Sequence, residues 1–169
     1  MANDEHRLTG FLGLTPVVKN LVLINILFFF ATFALLGSSR GQLDLTEYLA
    51  LYYPGSDKFR WWQLVSYMFM HANFSHIFFN MFALWMFGSV LENVWGPKRF
   101  LTFFLITGFG AALLHMGVNA YQLYNSVGTL NPNVTISGDM ISGNYSQAQL
   151  AKIGSCFAPT VGASGAVYG

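Results

Sequence analysis

Two short stretches of this 169-residue chain carry side chains that can do chemistry together. The first is Gly162-Ala163-Ser164-Gly165-Ala166-Val167-Tyr168-Gly169, a serine among small residues at the mouth of what reads as a helix. Gly162 and Gly165 leave room for a substrate backbone beside the Ser164 hydroxyl, which makes them candidate substrate-binding positions. The second stretch is His71-Ala72-Asn73-Phe74-Ser75-His76-Ile77-Phe78-Phe79-Asn80. At about 100° per residue, His76 and Asn80 fall one turn apart on one helix face, so both can be aimed at one point. A neutral imidazole N–H and a carboxamide N–H are the donors an oxyanion needs. In a low-dielectric site they act strongly because they are already oriented. With Ser164 as nucleophile and His76 and Asn80 as oxyanion donors, the chemistry implied is acyl transfer.

Plainer readings exist for each part. The hydrolase elbow of soluble enzymes reads G-x-S-x-G, and the place of its second glycine is held here by Ala166, which disfavours that family. Gly165 and Gly169 form a G-x-x-x-G step, which lets two helix backbones pack closely in a membrane. The tightly packed partner helix it implies is expected from outside this sequence. Ser164 alone also reads as a small residue at such an interface, and His76 alone as a polar group satisfied by a neighbouring helix. Their joint placement is what points to a site.

The elements that must position these residues are apolar. The chain is 54% hydrophobic and only 9% charged, against about 25% charged in an ordinary soluble domain. Three segments, about 17–36, 74–91 and 100–118, approach the roughly 20 residues needed to span a bilayer. The second carries His76 and Asn80, and polar groups inside a span point to function. Glu92 to Arg99 is the only link between the second and third spans, so these run antiparallel. A fourth span is expected to start near residue 160. Tyr48, Tyr52, Tyr53, Phe59, Trp61, Trp62 and Tyr67 place the 37–73 loop in the membrane interface. The polar 119–158 segment, with Asn131-Pro132-Asn133 and Ser142-Gly143-Asn144, reads as an aqueous loop. The first apolar run lacks an A-x-A-like site after Leu36, so it reads as a retained span rather than a signal peptide. Arg7, Lys19, Lys98 and Arg99 lie beside the spans on one side, which places the N-terminus in the cytoplasm. A net charge of +1 with scattered cations argues against nucleic acid as a partner. The single cysteine, Cys156, excludes an internal disulfide framework and a Cys-rich zinc site, and no metal or cofactor is expected.

The run from Trp61 to Asn80, with Glu92 and Gly96 following, and the Gly162–Gly169 segment together resemble the rhomboid family in the right order. That resemblance implies an all-α, polytopic transmembrane bundle with a six-helix core, of which three complete spans and the start of a fourth are present. It implies an intramembrane serine endopeptidase of the cell membrane that cleaves transmembrane protein substrates without a cofactor. Ser164 would attack the scissile carbonyl, and its own backbone N–H, His76 and Asn80 would hold the oxyanion. The base would be a histidine on the sixth helix. It is absent from this sequence, so the chain alone is expected to be close to inactive. His71 matches a structural histidine, and Glu92 a carboxylate that ties helices together near the cytoplasmic face. His115 reads as a packing residue, not as a substitute base. The family's Trp-Arg pair appears here as Trp62-Gln63, and the third loop is long. The rival readings are a catalytically inactive rhomboid-like protein that binds client transmembrane helices and a transporter fragment that binds solute.

Overall fold

The computed structural model describes residues 13–36, 44–137 and 140–167. Tyr168 and Gly169, with the start of the first loop, lie outside the described residues. Among the described residues, three helices are long and apolar enough to cross a membrane: Pro16–Leu35, Phe74–Trp95 and Pro97–Val127. The protein is a helical membrane bundle, as the composition requires.

Helix α1 (Pro16–Leu36) is apolar around its circumference, so what it buries is set by packing. Val18, Leu21, Asn25, Phe29 and Thr32 form its buried face, while Leu23, Leu27 and Phe30 stay exposed. Asn25 Nδ2 and the Thr32 hydroxyl donate to the carbonyls one turn back, Leu21 at 2.7 Å and Phe28 at 2.8 Å, while Asn25 Oδ1 is buried without a hydrogen-bond partner among the described residues.

The loop after α1 is ordered where described, with short helices α2 (Leu45–Leu49) and α3 (Gln63–Ser66) and a 3₁₀ turn at Tyr67–Phe69. Its anchor is Gln63, fully buried. The carboxamide donates to the carbonyls of Lys58 (2.9 Å) and Tyr48 (3.4 Å) and accepts from the backbone N–H groups of Arg60 (3.0 Å) and Tyr52 (3.4 Å). An amide has both donors and an acceptor, so Gln63 can hold carbonyls and N–H groups at once.

The second span is helix α4 (Phe74–Ala83), a π-helical turn at Leu84–Gly88, and helix α5 (Ser89–Trp95). The π turn decides where Glu92 points. Twelve regular α-helical steps would set Glu92 about 120° from Asn80, and one extra residue in the turn brings the two within about 20°. Both are accordingly buried. The Glu92 carboxylate accepts from the Val17 and Val18 backbone N–H groups, each at 2.9 Å, and from the Thr15 hydroxyl. It thus satisfies the open N-terminus of α1, where a negative charge is favoured.

Gly96, at φ +81°, is the whole connection to helix α6 (Pro97–Val127), which begins with Pro97. The sequence ended this span near 118, but the helix runs on to Val127, where Gly128 caps it at φ +76°. Its 31 residues reach about 46 Å, longer than the roughly 30 Å hydrocarbon core, and Asn119, Gln122 and Asn125 make its C-terminal end polar. Against that end pack strands β1 (Val134–Ser137) and β2 (Met140–Gly143), an antiparallel hairpin, and helix α7 (Gln147–Phe157). The segment read as a loop therefore has its own core of Tyr53, Leu123, Ile153, Cys156 and Phe157. Ser146 and Gln149 cap α7 reciprocally.

The main core joins Val18, Leu51, Met68, Leu84, Phe104, Ala112 and Ala163 among others. Helix α8 (Ser164–Val167) packs on α6 where that helix is lined by small residues. A side chain at Gly108 would collide with Met68, and one at Gly165 with Ala111. Gly165 is thus used against α6 of this chain, while Gly169, the other half of the G-x-x-x-G step, lies outside the described residues.

Candidate active site

Asn73 starts the arrangement. Its backbone is extended, and its side chain accepts from the His76 N–H at 2.8 Å, capping α4. This fixes His76 in the first turn and Asn80 one turn further along, with Asn80 buried and His76 half-buried.

The other half is the extended segment 159–162 that leads into α8. Thr160 exchanges two backbone hydrogen bonds with Leu51, both 2.9 Å, and the Gly162 N–H donates to the Tyr67 carbonyl at 2.9 Å. His115 Nε2 lies 2.7 Å from the Thr160 hydroxyl and 3.1 Å from the Asn119 amide, so His115 holds this segment in place. Tyr67 braces the same region, its hydroxyl donating to the Gly108 carbonyl at 2.8 Å. Burial pushes that hydroxyl's pKa up to about 12, so it remains a donor.

The two halves meet at Gly162. Its φ of +120° favours glycine, and a Cβ there would lie 2.6 Å from His76 Nε2 and 3.6 Å from Asn80 Nδ2. The two nitrogens therefore border one small volume that exists because residue 162 has no side chain. Ser164 is two residues on, within about 7 Å of Gly162 along the chain. Ser164 heads α8 and is exposed, between the buried Ala163 and Ala166. Among the described residues, neither its hydroxyl nor its backbone N–H is engaged in a hydrogen bond.

Of the two glycines singled out for substrate approach, Gly162 borders the His76–Asn80 space, whereas Gly165 faces Ala111 and lies against the Tyr67 hydroxyl. The missing side chain of Gly165 is used in helix packing. His71 stacks edge-on against His76, with ring centroids 5.1 Å apart. It is buried with neither ring nitrogen in a well-formed hydrogen bond. Burial, then the neighbouring His76, lower its pKa to about 4, and the Phe69 carbonyl offsets this only in part. His71 is a neutral wall behind His76. Tyr67 and Gln63 escaped the sequence reading as supports of the site; their place within the Trp61–Asn80 run was the available signal.

The family model for the Rhomboid domain matches residues 58–169, and this chain belongs to the rhomboid family. It is 33% identical over 117 residues to the rhomboid protease AarA of Providencia stuartii, covering 68% of this chain and 41% of that protein. To RHOMBOID-like protein 6, mitochondrial, of Arabidopsis thaliana it is 35% identical over 81 residues, 48% of this chain and 26% of the relative. The rhomboid protease GlpG of Yersinia pestis is 28% identical over 103 residues, 59% and 37% of the two chains. The chain thus spans less than half the length of these relatives. Together with its apolar helices, membership of this family of intramembrane serine proteases marks an integral membrane protein.

Proposed function

We propose that the protein, at full length, is an intramembrane serine endopeptidase that cleaves transmembrane protein substrates. The observation that carries this reading is the meeting of His76 Nε2 and Asn80 Nδ2 at the side-chain space of Gly162, two residues before Ser164. In the proposed reaction the Ser164 Oγ attacks the scissile carbonyl carbon, and its proton passes to a base. The carbonyl oxygen, now an oxyanion, accepts from His76, Asn80 and the Ser164 backbone N–H. Collapse breaks the C–N bond, the amine leaves with the proton from the base, and water then hydrolyses the acyl-serine. The base is a histidine on the sixth helix of the family core, as the resemblance to rhomboids implies. The histidines described here are otherwise placed: His71 behind His76, and His115 on Thr160. The N-terminus is cytoplasmic, so the site opens near the outer face of the cell membrane.

A fluorophosphonate probe, which reacts with activated serines, tests this on the full-length protein in detergent. The wild type is expected to be labelled and Ser164→Ala not. Labelling that survives the substitution contradicts the assignment. Absence of wild-type labelling favours a client-binding protein without activity.

A further inference from the structure

A cavity of about 770 Å³ opens between the first loop, the β1–β2 hairpin and the C-terminal end of α7. Its volume lies within the range of ligand sites, roughly 300–1,000 Å³. The floor is apolar, built from Ile136 and Ile141 of the hairpin with Phe157 and Pro159. Ser56, Asp57, Lys58, Asn131 and Asn133 form a polar and partly charged rim, which can hydrogen-bond a peptide backbone. The hairpin register explains the floor: Ile136 pairs with Ile141, so both lie on the face turned to α7, and a Cβ at Gly154 would touch Ile141. Met140, one residue from Ile141, lies on the opposite face and is 75% exposed.

The chain itself links the cleft to the candidate active site. Pro159 lies in its wall, and residues 159–162 run extended from there to Gly162. Ser164 is the fifth residue after Pro159, a reach of at most about 18 Å. Behind the cleft, Tyr53 packs on the lining residue Phe157 and its hydroxyl donates to the Leu130 carbonyl at 3.2 Å.

We propose that this cleft is an exosite for an unfolded segment of the substrate outside the membrane, lying about five residues from the scissile bond and carrying a bulky apolar side chain. The apolar floor takes the side chain, and the polar rim takes the backbone of an extended strand. Calling the ligand a substrate rests on the protease reading, but binding to the cleft does not require a reactive serine.

The test uses full-length protein carrying Ser164→Ala in detergent micelles, with fluorescein-labelled casein as an unfolded soluble polypeptide and anisotropy as the readout. Adding Ile136→Asp is expected to weaken casein binding by about tenfold, whereas Met140→Asp on the other face of the hairpin stays within about twofold. Melting temperatures of both variants confirm that the hairpin is intact. Equal effects of the two substitutions, or none from Ile136→Asp, overturn the exosite. Fluorophosphonate labelling of the wild type reports on Ser164 separately, so loss of the protease reading and loss of the exosite give different results.

Discussion

An oxyanion forming near lipid has little water to solvate it, so its donors must already be aimed when it appears. At Gly162 this aim comes from an absence: the lack of a Cβ lets His76 and Asn80 approach the backbone that leads to Ser164. His71 keeps the His76 ring in place by contact, at the cost of a buried imidazole without a proper partner. That cost depends on pH. His71 has a folded pKa of about 4, below the ordinary 6.5, so the unfolded chain binds the proton more readily. Its contribution to stability is fully present above about pH 6.5 and is lost as pH falls towards 4, on the order of 3 kcal/mol across that window. Urea unfolding of the wild type in micelles between pH 7 and pH 4 should show this loss, and His71→Phe should flatten it. An unchanged acid slope in His71→Phe would show that another group is responsible.

At the scale of elements, the spacing of His76 and Asn80 was legible because four residues on a capped helix share a face wherever the helix lies. The π turn at Leu84–Gly88 was not. Leu84-Trp85-Met86-Phe87-Gly88 is apolar throughout, and an all-apolar segment has no period from which an extra residue could be read. Its effect is nonetheless large, since it places Glu92 on the face of Asn80 and so against the α1 N-terminus. Deleting Met86, which is half exposed, should convert the turn to regular helix and keep both faces aligned. Deleting Phe79 should rotate everything below it by about 100°. Thermal unfolding of the two full-length variants is expected to show a small shift for the first and loss of the folded state for the second. Equal losses would mean that the turn does not set the alignment.

The described residues divide into a bundle of apolar helices and a cap of hairpin and α7, joined by α6 and by the pairing of Leu51 with Thr160. The bundle was legible from three apolar segments, because lipid selects composition as strongly as it selects length. The cap was not, because Asn131-Pro132-Asn133 and Ser142-Gly143-Asn144 signal turns without telling a loop from a hairpin, and the burial of Ile153 and Cys156 depends on Tyr53, about a hundred residues away. Gln63 shows the same limit, since no local pattern reveals that one amide holds four backbone groups. Bundle and cap converge on a single claim, that Ser164, His76 and Asn80 serve one oxyanion. The most direct measurement is a structure of the full-length protein with a fluorophosphonate bound covalently to Ser164. The phosphonyl oxygen is expected about 2.7–3.1 Å from both His76 Nε2 and Asn80 Nδ2. An adduct whose oxygen turns away from Gly162 towards lipid, with neither nitrogen in reach, would contradict it.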